Sequence, residues 1–391
     1  MLSLDALDET FRPSQRLTTT PDTVLHVSTA QRQVSRLAST LLVRLPWRRR
    51  SSSGALRYSM KSRTTEAPKS AATWTKSLPM KRFKNILLVY ECDESTLVRA
   101  AALAKDNSAK LTILYPIKVH PGGMRSVTIG SKQVDIRKLV VGECQSQLDL
   151  VAATVQNMGV RPASKVLIGD PTLEVVRDVI EQERDLVIMT AEGVGGARSR
   201  LFGSTSRHLM RKCPVPLFVM KPSRRRHFHR ILAAVDPEVT GEARDTLNTL
   251  ILELGLSMSA REDAEFHVAH AWAMYGETML RGTGEMHKDD IDRLVRQEAV
   301  RRRKLVQSLL TRHMATRCEV HLPKGEAGEV IPRLAARLGI DLLVMGTVCR
   351  TGIPGFIIGN TAEQVLDAVE CSVLVVKPAG FVSPVTGLIS N

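Results

Sequence analysis

One pattern occurs twice in this chain of 391 residues, and this internal repeat restricts the possible folds more than any other feature. Residues 86–91 (ILLVYE) reappear as residues 231–236 (ILAAVD), and the later parts of the two copies match without gaps at an offset of 156 residues. Four matches in the same order indicate two copies of one domain. The matching pairs are Gly169-Asp170 with Gly325-Glu326, residues 185–189 with 341–345, Gly203 with Gly359, and Lys221-Pro222 with Lys377-Pro378.

Within each copy, short apolar runs alternate with longer stretches of helical periodicity. Apolar runs without polar alternation are typical of strands buried on both faces, so each copy is predicted to be a five-stranded parallel sheet covered by helices, a doubly wound Rossmann-like α/β domain. A ligand crevice in such a domain lies at the carboxyl ends of the strands. The predicted strands are 85–90, 111–115, 164–168, 185–190 and 215–220, then 230–235, 265–272, 317–322, 341–346 and 372–377; the longest predicted helices are 133–158 and 289–314.

The repeat and the composition together predict how the chain is divided. Residues 1–79 hold 13 Lys/Arg against 5 Asp/Glu, and a charged segment with few apolar residues cannot offset the entropy of ordering. We therefore expect a disordered basic extension without a function of its own. A basic amphipathic turn that touches a membrane or acts as a transit sequence is the alternative, and Met80 is a candidate natural start. The expected order is extension 1–79, domain 80–222, linker 223–229, domain 230–380 and tail 381–391.

Composition also argues against several classes of protein. Residues 80–391 hold 42 Lys/Arg and 35 Asp/Glu, a mild excess that favours solubility over a specific nucleic-acid partner. The six cysteines are scattered and form no C-x-x-C pair, which predicts reduced thiols and a cytoplasmic protein. Because no apolar run approaches 18 residues, we expect no segment that spans a membrane.

The end of the fourth predicted strand in the second copy has the pattern of a phosphate-binding turn. Residues 346–349 (GTVC) are separated by nine residues from Gly359-Asn360-Thr361, which stands at a predicted helix N-terminus. Backbone N–H groups and the helix dipole favour an anion there, and glycine lets the backbone approach it. Glycines at strand-to-helix turns also have purely steric roles, so both interpretations stay open.

With these residues the second copy resembles the ATP-binding members of the universal stress protein family. Those members carry Gly-x-x-Gly, nine residues and then Gly-Ser or Gly-Thr, together with an Asp that closes the first strand. The resemblance implies an adenosine-side role for Asp236 and phosphate-side roles for Gly346 and Gly359. Asn360 stands in the place of the Ser/Thr, and Thr361 supplies the hydroxyl one residue later.

Both copies depart from the family pattern at individual positions. Cys349 stands where the second glycine is expected, and its side chain is predicted to obstruct a triphosphate, so we expect ATP to bind domain 2 weakly or not at all. The first copy departs at Thr190 and has Glu91 in place of Asp, so it is expected to bind ATP even less well. The candidate residues of the first copy are Glu91, Gly193, Gly203 and Ser204.

The resemblance covers residues 81–379, and the tandem arrangement is similar to a two-domain subclass of the family. It implies an adenine nucleotide alpha hydrolase-like fold, a cytoplasmic stress-response role and pairing between the last strands of the domains, 215–220 and 372–377. Such strands can also join two chains into a homodimer. We expect a non-catalytic binding or signalling protein whose partners are its own domains, a second copy, an unidentified protein or a small apolar ligand. An ATP-binding switch in domain 2 and a nucleotide-hydrolysing enzyme of related fold are the alternatives.

The remaining motifs assign neither a metal nor a catalytic residue. His267 and His270 lie three residues apart on a predicted strand, so their side chains face opposite sides and cannot bind one ion. The basic run at 301–304 fans around a predicted helix, which favours a solvated face over a nucleic-acid site. The sequence contains no G-x-x-x-x-G-K-[ST], G-x-S-x-G or H-E-x-x-H motif.

Overall fold

The computed structural model describes most of the chain from Arg82 onward, and the expected extension over residues 1–79 lies outside the described residues. The described residues are 82–91, 93–118, 126–129, 132–191, 202–223, 225, 227–237, 242–284, 286–313, 317–347, 359–378 and 380–386.

The first copy forms an alternating α/β domain, which we call domain 1. Three of its helices begin at an aspartate, Asp93, Asp135 or Asp170, whose carboxylate accepts a backbone N–H from the first turn and so satisfies a donor without an intrahelical partner. Its elements are β1 (Asn85–Val89), α1 (Glu94–Asn107), β2 (Lys110–Ile117), β3 (Ser126–Ile129), β4 (Lys132–Asp135), α2 (Ile136–Gln156), β5 (Ala163–Ile168), α3 (Pro171–Glu181), β6 (Leu186–Thr190), α4 (Ser204–Lys212) and β7 (Leu217–Met220).

The second copy, domain 2, repeats this alternation. Its elements are β8 (Arg230–Ala234), α5 (Glu242–Glu262), β9 (Glu265–Ala269), α6 (Glu277–Thr283), α7 (Lys288–Arg312), β10 (Glu319–His321), α8 (Ala327–Leu338), β11 (Leu342–Gly346), α9 (Asn360–Ala368) and β12 (Ser372–Val376). Among the described helices, none has both the length and the apolar character needed to cross a lipid bilayer.

One ten-stranded sheet runs through both domains in the order β10-β9-β8-β11-β12-β7-β6-β1-β2-β5. Within each domain the five strands are parallel, and the first and fourth lie side by side at the centre. This is the doubly wound arrangement that the apolar runs predict, and all ten predicted strands are present. The point between the first and fourth strands is where a ligand crevice is expected.

The two domains are joined through their last strands, as the sequence predicts. β7 and β12 pair in antiparallel register, with Val219 opposite Val373, Phe218 opposite Leu374 and Leu217 opposite Val375. The antiparallel join directs the carboxyl ends of the two sets of strands toward opposite edges of the sheet. The positions at which ligand crevices are expected therefore lie at opposite ends of the strands.

The core lies on both faces of the sheet, and the strands carry buried side chains in both directions. Helices α1, α2, α5 and α7 cover one face through residues such as Leu97, Leu252 and Val306. Helices α3, α4, α8 and α9 cover the other face through residues such as Leu209 and Leu334. Burial on both faces explains why the strands read as continuous apolar runs.

One helix boundary predicted from the sequence is wrong. The helix predicted over 133–158 begins at Ile136, because residues 132–135 form β4, which pairs with β3 in a separate antiparallel hairpin. Asp135 ends this hairpin and accepts the N–H of Lys138 at 3.2 Å, which starts the helix there. The helix predicted over 289–314 is confirmed as α7.

Candidate functional site

The candidate site of domain 2 lies where β8 and β11 end. These neighbouring parallel strands pair Ala234 with Met345, so the residues that follow them reach the same edge of the sheet. Asp236 follows β8, and Gly346 is the last residue of β11. The structure therefore places these two predicted site residues at neighbouring strand ends, where a crevice is expected.

Helix α9 begins beside these strand ends. The N–H of Gly359 faces the carbonyl oxygen of Thr347, the residue after β11, at 3.4 Å. Gly359 is the N-cap residue and provides no side-chain cap, while Asn360 and Thr361 are exposed on the first turn. The start of this helix thus presents backbone N–H groups near the crevice. Cys349, the predicted obstruction, lies outside the described residues.

Asp236 is held in place through its backbone by Asn248 of α5. The Asp236 N–H donates to Asn248 Oδ1 at 3.0 Å, and Asn248 Nδ2 donates to the Asp236 carbonyl oxygen at 2.9 Å. A carboxylate oxygen of Asp236 lies 3.9 Å from Nδ1 of the buried His270. About a third of the Asp236 side chain is exposed, so part of it faces solvent at the end of β8.

Packing disfavours a side chain at Gly346. A Cβ added at Gly346 would lie 2.7 Å from Cδ2 and 3.2 Å from Cγ of Leu247, which projects from α5. These separations are shorter than van der Waals contact. The steric interpretation of this glycine is therefore sufficient, and its presence alone is not evidence for a phosphate.

Lys377, directly after β12, connects the crevice with domain 1. Its Nζ donates to Thr347 Oγ1 at 2.7 Å and to the carbonyl oxygen of Met210, in the last turn of α4, at 2.5 Å. The ammonium also lies 4.8 Å from the centre of the Phe381 ring. Burial lowers the pKa of Lys377 to about 8, against a weaker opposing effect of the neighbouring Cys213. The same side chain thus touches a residue at the end of β11 and the C-terminal turn of a helix in the other domain.

The equivalent region of domain 1 is only partly described. Glu91 follows β1 and is half-buried, Gly203 is the N-cap residue of α4, and Ser204 is exposed on its first turn. Gly193 lies outside the described residues. The three described residues stand at the predicted strand end and helix start.

The two helices that begin at Gly203 and Gly359 are linked across the junction by ion pairs. Arg207 of α4 lies 2.9 Å from Asp367 of α9, and Arg211 lies 2.5 Å from Glu363. All four side chains are at least a third exposed, so each pair contributes little stability by itself. Each pair joins the first part of one helix to the last part of the other, so the two helices run antiparallel across the junction.

A second group of polar side chains lies near the outer edge of domain 2. His267 of β9 and Glu319 and His321 of β10 place their nitrogen and oxygen atoms within 4.8 Å of one another. His267 and His270 take separate neighbours, as their spacing predicts. Burial lowers the pKa of His321, which favours the neutral imidazole.

Comparison with known proteins agrees with this architecture. The model of the universal stress protein family matches residues 82–221 and 227–377, which is most of the chain. The chain belongs to the universal stress protein family. Universal stress protein E of Escherichia coli (strain K12) is 28% identical over 312 residues, which cover 78% of this chain and 98% of that protein. The universal stress protein E homolog of Haemophilus influenzae is 24% identical over 307 residues, which cover 76% and 98% of the two chains. This family member therefore has the tandem arrangement of universal stress protein E.

Solved structures of universal stress proteins share the fold. A putative universal stress protein from Pseudomonas aeruginosa UCBPP-PA14 matches with a TM-score of 0.61 at 22% identity, over 80% of this chain and 99% of that chain. A universal stress protein from Archaeoglobus fulgidus DSM 4304 matches with a TM-score of 0.51 at 17% identity, over 76% and 97%. These similarities confirm the fold class.

Three residues that contribute to the site are not part of the sequence motif. Asn248 and Leu247 lie on a helix that the glycine pattern does not include, and Lys377 finds its Met210 acceptor 167 residues away. The Lys-Pro pair that ends both copies was the sequence feature that could have identified Lys377. The signal for the histidine group was the placement of His321 two residues after Glu319, on the same face of an adjacent strand.

Proposed function

We propose that this universal stress protein is a cytoplasmic stress-response binding and signalling protein that does not catalyse a reaction. The observation that carries the proposal is the position of Lys377, whose Nζ contacts Thr347 beside the crevice of domain 2 and Met210 in domain 1. Because Lys377 contacts residues at both places, a ligand that binds in the crevice can change the contact at the domain junction.

The physical route begins at the end of β11. Thr347 is followed by the segment that leads to α9, so a ligand at the start of α9 that moves Thr347 also changes the environment of Lys377. Lys377 caps the last turn of α4, where carbonyl groups lack intrahelical partners. A ligand transmits a signal this way only if it binds more tightly to one arrangement of this contact than to the other.

The engagement of the described polar groups supports a role without catalysis. The Thr347 hydroxyl accepts from Lys377, and the Lys377 ammonium is directed at two acceptors within the protein. The buried Asn248 is occupied by the backbone of Asp236. A catalytic group must reach the reacting atoms of a substrate, and these groups are turned toward the protein instead.

The second candidate is an ATP-binding switch in domain 2. It is favoured by two features near the ends of neighbouring strands. A partly exposed carboxylate, that of Asp236, follows β8, and a helix N-terminus capped by Gly359 lies beside Thr347 after β11. The steric role of Gly346 and the side chain of Cys349 weigh against tight binding. We therefore expect weak ATP affinity in the natural sequence.

Calorimetric titration with ATP, combined with a phosphate-release assay on the same sample, separates these functions. We expect weak or undetectable ATP binding and no turnover. Any binding in domain 2 should be lost in Asp236→Asn and kept in Asp245→Asn, a matched change at an exposed position of α5. Repeated turnover that both variants retain at wild-type rate would contradict a non-catalytic role and point to another site.

Restoring the family glycine tests the ATP switch. Cys349→Gly should strengthen ATP binding, because removal of Cβ opens the space that a phosphate needs, whereas Thr190→Gly alone should change little. Equal affinities of Cys349→Gly and the wild type would reject this reading of the loop.

Native mass spectrometry of the purified chain tests the partners that we propose. The mass of the intact complex shows whether the chain is a homodimer. A co-purified apolar ligand is detected by the mass that is lost when it dissociates on collisional activation. A monomer without ligand would leave an unidentified protein as the remaining partner in this proposal.

A further inference from the structure

At the edge of domain 2, three side chains of types that commonly bind metals lie on one face. β9 and β10 are parallel, and Glu319 pairs with His267 in their register. His321 follows Glu319 by two residues, so all three side chains point to the same side of the sheet. The local strand pairing therefore collects two imidazoles and one carboxylate from residues that are more than 50 positions apart in sequence.

The distances among their ligand atoms match one face of a coordination tetrahedron. Nδ1 of His267 lies 3.2 Å from Nε2 of His321 and 3.4 Å from Oε2 of Glu319, and the last two atoms are 3.8 Å apart. Zinc–nitrogen bonds of about 2.0–2.1 Å in a tetrahedron place neighbouring ligand atoms about 3.3–3.4 Å apart. We propose that His267, Glu319 and His321 form a site for a divalent transition-metal ion of the zinc type.

A hydrogen bond between two neutral histidines explains less of the geometry. It accounts for the distance between His267 and His321 but not for a carboxylate oxygen within 4 Å of both rings. Nε2 of His267, on a side chain that is only 5% exposed, makes no hydrogen bond and lies 3.7 Å from the Glu265 carboxylate. Ligation through Nδ1 gives that buried nitrogen a clear role as the protonated outer atom of a metal-bound imidazole.

The groups around His267 are arranged like those that support a metal-bound histidine. Nε2 of His267 lies 3.7 Å from Oε2 of Glu265, and that oxygen accepts from Nε of Arg230 at 2.7 Å. Metal-bound histidines commonly direct their second N–H toward a carboxylate, which fixes the ring and raises its basicity. The chain of Arg230, Glu265 and His267 supplies this support.

The donor set indicates which ions fit. Two imidazoles with one carboxylate suit zinc and its neighbours in the first transition row, whereas calcium and magnesium prefer sites made of oxygen. The Glu319 side chain is 71% exposed, which gives an ion a route from solvent and leaves the fourth position to water. Because β10 has three residues and lies at the edge of the sheet, a bound ion would fasten this strand to β9.

Zinc titration of the full chain, freed of metal with a chelator, tests the site. A competing chromophoric chelator reports affinity, and we expect one zinc ion per chain bound through this cluster. Glu319→Gln should weaken that affinity at least tenfold, as should His321→Gln. The matched changes Glu329→Gln and His287→Gln, at exposed positions of domain 2, should leave it unchanged.

Two further measurements keep the result unambiguous. Zinc should raise the melting temperature of the wild type but not that of Glu319→Gln, whose exposed position lets the variant fold normally. The cobalt(II)-loaded chain should show tetrahedral bands without thiolate charge transfer. Affinity that is equal in the wild type and Glu319→Gln, or a thiolate spectrum, would place the ion elsewhere and overturn the proposal.

Discussion

Lys377 shows how one buried side chain can be charged or neutral while it keeps the same contacts. A neutral lysine amine has two N–H donors, and the structure offers two acceptors, the Met210 carbonyl oxygen and Thr347 Oγ1. Burial therefore penalises the charge but not the hydrogen bonds, and it lowers the pKa of Lys377 to about 8 from the usual 10.5. The contact between the domains is preserved in either form.

This pKa predicts a stability that rises with pH. Between about pH 8 and 10.5 the unfolded chain binds a proton on Lys377 that the folded chain has lost. The free energy of unfolding should therefore increase through this window, by about 2–3 kcal/mol from pH 7 to pH 10. Denaturant unfolding of the wild type and of Lys377→Met at pH 7 and pH 10 measures this increase for each chain. The difference between the two increases is the contribution of Lys377. Lys110→Met, at an exposed position, is the control. Parallel pH profiles for the wild type and Lys377→Met would contradict the prediction.

Gly346 allows a second prediction at the scale of one residue. Gly346→Ala should lower the free energy of unfolding by about 1–3 kcal/mol, because the new Cβ overlaps Leu247 in a packed region. Gly282→Ala is the matched control, since a Cβ there meets nothing within 4 Å. Urea midpoints of the two variants give the answer. If both midpoints equal that of the wild type, Leu247 moves aside without cost and the steric account of Gly346 is wrong.

The join between β7 and β12 is the element on which the two-domain unit depends. Its strands bring together fully buried apolar residues, including Val219, Val373 and Phe218. The linker adds to this core, since Phe228 is buried with its ring centre 6.0 Å from that of Phe218 and 4.1 Å from the guanidinium of Arg99. The ion pairs between α4 and α9 lie at the surface, so strand pairing and apolar burial carry most of the stability.

A charge in this join should separate the domains. Val219→Lys buries an unpaired ammonium opposite Val373, which should cost about 4 kcal/mol or more. We expect small-angle scattering to show a larger radius of gyration and unfolding to lose its single transition. Val382→Lys makes the same exchange at a side chain that is 62% exposed and should behave as the wild type. A wild-type chain whose domains already move independently would contradict the role of this join.

For the whole molecule, removal of the N-terminal extension is the simplest test of the predicted division. A chain that begins at Met80 should melt within about 2 °C of the full chain, because a polar, charged segment contributes little to the core. Differential scanning calorimetry of both chains measures this. A larger fall in melting temperature, or slow hydrogen exchange within residues 1–79, would show that the extension docks.

The sequence predicts the fold far better than the site, and particular residues show why. Strands such as β1 and β11 are buried on both faces, so their apolar runs identify them without any tertiary information. The contacts of Lys377 depend on how two domains pair, and the group formed by His267, Glu319 and His321 depends on strand register. Neither relation can be read from local periodicity. The glycine motif predicts a site at the end of β11, but it does not show that Leu247, on another helix, packs against Gly346 there.

The antiparallel join of two similar halves on one chain has an evolutionary consequence. In a symmetric dimer of a single-domain ancestor, every substitution would occur in both subunits. In this tandem chain, a substitution occurs in one domain only. The residues at the start of the candidate sites already differ, since Glu91 follows the first strand of domain 1 where Asp236 follows that of domain 2. Tethering also makes the pairing independent of protein concentration, so selection can alter one half without losing the assembly. Fusion of the halves thus allows the two domains to diverge in sequence while they remain paired.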